Sequence, residues 1–414
     1  MVPLPRSDTP SLRVLHLFGR DNAPNRTRSD TPSLRVLHLF SNYRWTGPAE
    51  PAVNLCVALS RLGVDVMLAA GADPRVDAEG VRGMARSRGL TVLADLRLGK
   101  HRHPLWNPLD AWRLRRLLRQ LKPDVLHCHM DNDHAIATAA VRGLDIPVVR
   151  SSYYGEGMPA DRRHRELLRH TSRVLEPSLA ALEADRARFG LPPDRLTRID
   201  PAVDTKRFDP CRVNRDAARA RMGLSPETVA VGIVARMQPY RHFEDLFDAL
   251  SLVVRKDLPL RLVVIGRGTR QESVGFEAVR ARNLERWVLF PGYQRGDDYV
   301  AALSALDIGV LLVPGTDGTC RAVREMMAMG LPMVVANRGM LAELVTHESD
   351  GLVCPGTPES LAEALTRLVT APDLRAIMGS RARHAALERF SLDGQARRVR
   401  SVYLALLGRE ATTA

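Results

Sequence analysis

Residues 314–332 read PGTDGTCRAVREMMAMGLP and follow the apolar, strand-sized run at residues 308–313. The pattern predicts a strand, a glycine-containing loop and a helix, with Asp317 in the loop and Glu325 about one turn into the helix. Amides from Gly318 to Arg321 then point out from a helix N-terminus, where partial positive charge gathers. Arg321 adds a cation beside them. This arrangement suits a diphosphate, although each carboxylate alone could be an N-cap or a solvated helix residue.

Short strand patterns alternate with helical patterns along most of the chain. The first predicted strands are residues 35–40, 65–70, 124–129, 147–151 and 173–176, with helices such as 51–62 and 110–120 between them. The second series is residues 228–235, 261–265, 288–290, 308–313 and 333–336. The alternation predicts an α/β protein of two doubly wound, parallel, Rossmann-like domains. The carboxyl ends of their strands would face one central cleft, which is the expected ligand site.

The N-terminus contains one exact repeat. RSDTPSLRVLHLF stands at residues 6–18 and again at 28–40, and only the second copy leads into a turn and a helical pattern. We therefore expect residues 1–33 to be a duplicated, poorly ordered extension; an added edge strand is the alternative. Residues 34–205 are expected to form the N-terminal Rossmann-like domain and residues 206–390 the C-terminal one. Residues 391–414 are expected to form a helix that packs back on the N-terminal domain.

Composition narrows the class of protein. The 60 Lys and Arg residues against 47 Asp and Glu give a net charge of +13, and only four residues are lysines. This excess suits an acidic ligand or an anionic membrane surface, and no nucleic-acid-binding module is recognisable. Five scattered cysteines without a CxxC pair indicate a reducing, cytoplasmic compartment, without disulfides or a metal site. No apolar run approaches the roughly 20 residues of a spanning helix.

The order and spacing of these segments resemble the retaining glycosyltransferases of family 4, which have the GT-B fold. The match runs from Asp317 through Pro332 and continues into residues 342–345 and 350–353. It covers nearly all of residues 34–407, and it implies that residues 34–205 form the acceptor-side domain and residues 206–390 the nucleotide-sugar donor domain. The resemblance implies that Glu325 binds the nucleotide ribose, and that Asp317 contacts hydroxyls of the transferred sugar where the family has glutamate. Gly318, Thr319, Cys320 and Arg321 would complete the donor loop.

Further family positions fall after other strands. Arg236 matches an arginine that binds the diphosphate, and Arg241 stands where the family has lysine. The turns at Gly266 and Gly292 resemble those that frame the base through backbone groups. Gly47 lies in a turn that resembles the family's glycine loop near the donor phosphate and acceptor, but it stands alone before Pro48 where the family often has paired glycines.

The N-terminal half departs from the family at several positions. Tyr153 stands about where many members have a histidine near the reacting sugar, and Pro201-Ala202 replaces Asn-Gly. His127 and His129 share one face of a strand, and we expect a polar role at the cleft edge in preference to metal binding. Asp131 and Asp133 open a helix, where capping is the expected role.

We therefore expect a retaining, hexosyl-type glycosyltransferase that uses a UDP- or GDP-linked sugar without a cofactor. The expected process is cell-envelope polysaccharide or lipopolysaccharide synthesis, with a glycan or lipid-linked acceptor. The alternatives are a non-catalytic nucleotide-sugar-binding protein and a sugar-nucleotide epimerase. Residues 113–119 carry four arginines around the leucine face of a predicted helix. This surface is either a solvated outer face or a peripheral contact with anionic lipid at the inner face of the cell membrane.

Overall fold

The computed structural model describes residues 34–73, 78–314 and 320–409, which belong to one compact unit. Two parallel sheets organise this part of the chain. The first has seven strands: β1 (Arg35–Phe40), β2 (Asp65–Ala70), β3 (Thr91–Leu93), β4 (Val125–Cys128), β5 (Val148–Ser151), β6 (Arg173–Glu176) and β7 (Leu196–Arg198). Its strand order is β3-β2-β1-β4-β5-β6-β7. We call this sheet with its helices the N-terminal lobe.

Six helices connect the strands of the N-terminal lobe: α1 (Ala49–Arg61), α2 (Val81–Ser87), α3 (Trp106–Leu121), α4 (Asp131–Ala140), α5 (Arg162–Arg169) and α6 (Leu179–Phe189). Apolar layers cover both faces of the sheet because successive strand residues point to opposite sides. On β1, Val36 and Phe40 join the layer under α1, whereas Leu37 and Leu39 join the layer under α3 and α4.

The second sheet has six strands: β8 (Val229–Val234), β9 (Leu260–Ile265), β10 (Val288–Gly292), β11 (Ile308–Leu311), β12 (Met333–Ala336) and β13 (Gly351–Cys354). Its order is β10-β9-β8-β11-β12-β13, and every pair is parallel. Helices of this C-terminal lobe are α7 (Arg215–Arg221), α8 (Phe243–Val254), α9 (Glu277–Arg280), α10 (Gly296–Ser304), α11 (Arg321–Ala328), α12 (Leu341–Leu344), α13 (Pro358–Thr370) and α14 (Pro372–Arg389). The α/β class and the two parallel sheets are thus confirmed.

The last described helix, α15 (Leu392–Leu406), returns to the first sheet. It contacts α1, and its Tyr403 is fully buried in the layer under α1. A short bridge between Val203 and Ser391 holds the two crossings of the chain between the lobes side by side. Residues 1–33, with the repeat's first copy, lie outside the described residues, and the domain boundaries stay predictions. None of the described helices is long and apolar enough to cross a membrane.

Candidate active site

A large cavity lies at the carboxyl ends of strands in the second sheet. It has a volume of about 840 Å³ and is bordered by Val234 at the end of β8, Ile265 and Gly266 at the end of β9, and Glu325 on α11. This is the position at which open α/β sheets bind ligands. We call it the main cavity. It contains five arginines and two glutamates: Arg207, Arg236, Arg267, Arg295, Arg321, Glu50 and Glu325. The excess of cations favours an anionic ligand.

Glu325 is a buried carboxylate at the wall of the main cavity. Its helix begins at Arg321, directly after Cys320, which has a left-handed φ of 46°. Only 2% of Glu325 is exposed. Its Oε2 accepts a hydrogen bond of 2.6 Å from the Tyr299 hydroxyl, and its Oε1 accepts one of 2.6 Å from Arg321 Nε. Burial raises the pKa of Glu325, and the Arg321 charge and the Tyr299 hydrogen bond offset part of that rise.

Arg321 connects the two lobes. Its Nη1 donates to Glu50 Oε2 at 2.5 Å, while its Nε donates to Glu325. Glu50 lies in the first turn of α1, so the ion pair joins α1 to α11. Burial alone would lower the pKa of Arg321, but the two carboxylates outweigh it and raise the pKa. Sequence patterns assign no role to Glu50 or Tyr299; the position of Glu50 soon after Gly47 is the one signal that could have found it.

Glycines bring backbone close to the main cavity at two strand ends. Gly266 has a φ of 147°, and a Cβ there would lie 2.1 Å from the carbonyl oxygen of Ala235. Gly292 has a φ of 76°, and its carbonyl accepts a hydrogen bond of 3.0 Å from the Gly266 amide. Gly266 lines the cavity and Gly292 supports it. The two predicted turns are therefore adjacent, and their contact with a base stays a prediction.

Arg236 and Arg241 border an adjoining cavity of about 470 Å³ together with Gly47, Cys320 and Arg321. Arg236 is exposed and also lines the main cavity. Arg241 is 7% exposed, and its Nη1 donates to the carbonyl oxygens of Val313 and Pro314 at 3.3 and 2.8 Å. Arg241 therefore holds the end of the segment that leads towards residue 315. Asp317, Gly318 and Thr319 lie outside the described residues.

Sequence comparison places both halves of the chain in one group of enzymes. A family model described as "Glycosyltransferase Family 4" matches residues 46–207, and one described as "Glycosyl transferases group 1" matches residues 214–385.

The chain belongs to glycosyltransferase family 4.

Curated relatives of this family-4 chain span much of it. A GDP-mannose-dependent alpha-mannosyltransferase of Mycobacterium tuberculosis is 29% identical over 264 residues, covering 60% of this chain and 64% of the relative. A D-inositol 3-phosphate glycosyltransferase of Saccharomonospora viridis is 31% identical over 268 residues, covering 62% and 59%. The aligned region thus spans less than two thirds of either relative.

Solved structures share the GT-B fold of this family-4 chain. A glycosyltransferase of Rickettsia africae superposes with a TM-score of 0.77 at 15% identity, covering 92% of this chain and all of the other. Anabaena HepE in complex with UDP gives a TM-score of 0.71 at 17% identity, covering 90% of this chain and all of the other. At these identities the likeness concerns the fold alone.

The predicted cleft-edge role of the family-4 chain's His127 and His129 is wrong, because both side chains are fully buried. They point to the face of the first sheet that α1 and α15 cover. His129 Nδ1 is hydrogen-bonded to the Tyr153 hydroxyl at 2.8 Å, and its Nε2 to His38 Nδ1 at 3.0 Å. His127 is hydrogen-bonded to Tyr403 of α15. The predicted site residue Tyr153 thus belongs to a polar layer beneath the sheet end.

This layer also contains atoms that could ligate a metal. His38, Cys56 and His129 are buried, and their ligating atoms lie within 4.8 Å of one another. Burial lowers the pKa of His38 to about 3, which keeps its imidazole neutral as a ligand must be. Burial raises the pKa of Cys56, which opposes the thiolate form. The main cavity contains no such group among residues 34–73, 78–314 and 320–409.

Asp131 and Asp133 have different roles at the start of α4. Asp133 accepts backbone hydrogen bonds from Met130 at 3.0 Å, so capping describes it correctly. Asp131 Oδ1 instead accepts a hydrogen bond of 2.8 Å from Nη2 of Arg150, with which it forms an ion pair. Burial acts to raise the pKa of Asp131, but the His164 hydrogen bond and the Arg150 charge lower it overall. Capping was therefore the wrong expectation for Asp131, because its side chain neutralises a buried arginine.

Proposed function

We propose that this chain transfers a hexosyl group from a nucleotide-diphosphate sugar to a hydroxyl acceptor, with retention of anomeric configuration. The observation that carries the proposal is Glu325, a buried carboxylate held by Arg321 and Tyr299 at the wall of an arginine-rich cavity. A carboxylate there suits the hydroxyls of a ribose, because it offers strong acceptors in a fixed position. The surrounding cations suit the diphosphate.

The remaining predicted residues have matching roles in this proposal. Arg236 and Arg241 bind the diphosphate beside Gly47 and Cys320, while the backbone at Gly266 and Gly292 approaches the base. Asp317, with Gly318 and Thr319, contacts the transferred sugar and the phosphates. The family-4 relatives named for GDP-mannose support a hexose donor, and the UDP complex of a structural neighbour supports a uridine alternative.

The chemistry we propose is a same-face displacement. The bond between the anomeric carbon and the diphosphate oxygen breaks, and the acceptor oxygen bonds to that carbon. The acceptor proton passes to the departing phosphate, so no protein nucleophile is required. Arg236 stabilises the developing negative charge, which is commonly the largest catalytic contribution in such a site. We infer retention of the anomeric configuration from the chain's membership of family 4.

Replacing Arg236 by alanine tests this assignment. We expect transfer to fall by a factor of roughly 100 or more, in line with losses for single charge-stabilising donors. Glu325→Gln should weaken nucleotide binding by roughly tenfold or more, because it removes charge-assisted hydrogen bonds. Arg255→Ala is the matched control, since this exposed arginine borders none of the described cavities. Near-normal transfer by Arg236→Ala would contradict the assignment.

Two alternatives have distinct outcomes in the same assays. Tyr153 is hydrogen-bonded into the polar layer beneath the sheet end, which favours a protein that binds nucleotide sugars without transferring them. Calorimetry with a panel of UDP and GDP sugars, together with a hydrolysis assay, would then show binding without turnover. An epimerase would instead convert one nucleotide sugar into another with no acceptor present.

We also propose peripheral contact with anionic lipid through α3 and the segment before it. Leu105, Trp106 and Trp112 are 74%, 39% and 61% exposed. Trp112 shares its exposed stripe with Arg116 and Arg119, at helical spacings of four and seven. Exposed aromatic side chains beside arginines are typical of surfaces that lie in a membrane interface. The contact would place the chain at the inner face of the cell membrane, beside a lipid-linked envelope acceptor.

Vesicle co-sedimentation tests this contact. Arg116→Ala and Arg119→Ala should each weaken binding to phosphatidylglycerol vesicles by about fivefold, because a basic residue near such a surface contributes about 1 kcal/mol. Ile377→Ala is the control, since Ile377 is 51% exposed on α14. Equal binding to neutral phosphatidylcholine vesicles would remove the electrostatic basis of the proposal.

A further inference from the structure

A second cavity, of about 380 Å³, adjoins the main cavity and shares Glu50, Arg207, Arg321 and Glu325 with it. We call it the arginine cavity because five arginines border it: Arg61, Arg88, Arg207, Arg321 and Arg324. It opens between α1, the start of α11 and the chain crossing at Pro201 to Phe208. Unlike the main cavity, it is not lined by the ends of β8 and β9.

The N-terminal lobe presents a fixed surface to this cavity. Glu50, Asn54, Val57 and Arg61 follow one another on α1 at spacings of four, three and four, so they form one stripe of the helix. Arg88 donates a hydrogen bond to Asn54 Oδ1. Its guanidinium also lies 5.0 Å from the centre of the indole ring of another residue, Trp45. These contacts position the Arg88 charge before any ligand arrives.

The carboxylates at the cavity are already engaged within the fold. Glu50 and Glu325 both accept from Arg321. Asp204 Oδ1 accepts the backbone amides of Lys206 and Arg207, each at 3.1 Å. The acidic groups therefore satisfy much of their hydrogen-bonding capacity internally. Five guanidinium groups thus share the cavity with three carboxylates, which leaves an excess of positive charge.

Arg88 shows the electrostatic effect of this crowding. Burial lowers its pKa, and although Glu50 and Asp204 act to raise it, repulsion from Arg207 and Arg321 adds to the lowering. An anion in the cavity would relieve that repulsion. Because a guanidinium presents parallel N–H donors, it suits the oxygens of a phosphate particularly well.

We propose that the arginine cavity is an anion site for a phosphate monoester, separate from the nucleotide site. A dianion there would contact Arg61 and Arg88 from the N-terminal lobe, together with Arg207, whose Nη2 donates a hydrogen bond of 3.0 Å to the Gly296 carbonyl of the C-terminal lobe. Binding would therefore stabilise the observed arrangement of the lobes. Since the two cavities share Glu50, Arg207, Arg321 and Glu325, phosphate and nucleotide would alter each other's affinity equally, as linkage requires.

Titration calorimetry of the full chain with inorganic phosphate tests the site, at constant ionic strength set by sodium chloride. Wild type should bind phosphate both alone and when saturated with UDP or GDP. Arg88→Ala and Arg61→Ala should each weaken phosphate binding by about tenfold or more, because each removes a charge-assisted hydrogen bond. Arg255→Ala should bind as wild type. Circular dichroism identifies any variant that has lost its fold, and Arg61, which is exposed, provides the second test if Arg88→Ala does not fold.

The two cavities are distinguished by a reciprocal pair of variants. Arg236→Ala should weaken nucleotide binding and leave phosphate binding intact, whereas Arg88→Ala should do the reverse. Phosphate binding that is lost in Arg236→Ala, or abolished by saturating nucleotide, would assign the anion to the main cavity and overturn the proposal. If the wild-type protein bound nucleotide but no phosphate, the anion-site proposal would be overturned and the proposed function would stand. A phosphate-binding chain that binds no nucleotide would instead refute the proposed function.

Glycerol phosphate and glycerol then identify the source of the phosphate. Competition by glycerol phosphate, with none by glycerol, supports a site for a phosphorylated metabolite. A site that accepts inorganic phosphate and excludes glycerol phosphate would overturn the monoester assignment.

Discussion

Replacing Glu50 by glutamine tests how strongly the two lobes are held together. The substitution keeps the shape of the side chain and removes the charge that pairs with Arg321 across the lobes. Arg321 keeps Glu325 as a partner, so its guanidinium is not left without a carboxylate. The loss should therefore be smaller than for a buried arginine that loses its only counter-ion.

The exposed fractions of the three side chains set the magnitude. Glu50 is 22% and Arg321 40% exposed at the side chain, whereas Glu325 is only 3% exposed. Exposed ion pairs contribute roughly 0.2–1 kcal/mol, and breaking a fully buried pair costs about 3–5 kcal/mol. We expect a coupling free energy of about 1 kcal/mol between Glu50 and Arg321. The coupling between Arg321 and Glu325 should be about 2 kcal/mol, because water screens the carboxylate less.

Double-mutant cycles with Glu50→Gln, Arg321→Gln and Glu325→Gln measure both couplings. Urea unfolding, followed by tryptophan fluorescence, measures the total free energy of unfolding. The fit includes an intermediate because the two lobes can unfold separately. Repeating the cycles in 1 M salt, where the Debye length is about 3 Å, should reduce the coupling between Glu50 and Arg321 more than the coupling between Arg321 and Glu325. Equal couplings, or a larger one for Glu50, would refute the reasoning from burial.

Two further substitutions follow from the described contacts. Gly266→Ala should destabilise the chain by about 2 kcal/mol or more, because its Cβ would meet the Ala235 carbonyl oxygen. Gly292→Ala should cost only about 1 kcal/mol of backbone strain, because no atom lies within 4 Å of its Cβ. Thermal melting compares the two variants, and equal losses of stability would contradict the steric argument. Asp131→Asn should cost about 3–5 kcal/mol at neutral pH, since Arg150 is 2% exposed and loses its counter-ion. Because folding lowers the pKa of Asp131, its contribution to the free energy of unfolding is present above about pH 4 and disappears as the pH falls through the folded pKa. If the stabilities of the variant and the wild type differed equally at every acidic pH, this reasoning would be contradicted.

Local sequence patterns were sufficient for several strands inside the sheets and insufficient for three strands at the sheet edges. The predicted bounds of β1, β2, β6 and β12 agree with the structure, because each is a short segment with an apolar centre between turns. Strands β3 and β7 were missed, since each has three residues and lies at an edge of the first sheet. Strand β13, at the edge of the second sheet, was recognised only as part of a motif.

Contacts between distant segments account for what the sequence did not reveal at the site. Glu325 was expected about one turn into its helix, and α11 places it there. Glu325 is linked to Glu50 through Arg321, and because Arg321 and Glu50 are 271 positions apart, no local pattern encodes their contact. The burial of His127 has the same origin, because Tyr403 reaches it from 276 positions away and covers the strand end. A histidine pair on one strand face was visible; the helix that covers it was not.

Arg321 borders all three neighbouring cavities, so its ion pairs affect the net charge of each one. The sequence suggested that its charge would serve a diphosphate, yet the structure gives that charge two carboxylate partners. In the proposed reaction, stabilisation of the leaving group therefore falls mainly on Arg236, which is exposed to two of the cavities. Arg321 would act chiefly by fixing Glu325 and by linking it to Glu50. Its removal should then weaken nucleotide binding and lobe cohesion together, whereas removal of Arg236 should reduce transfer without altering cohesion.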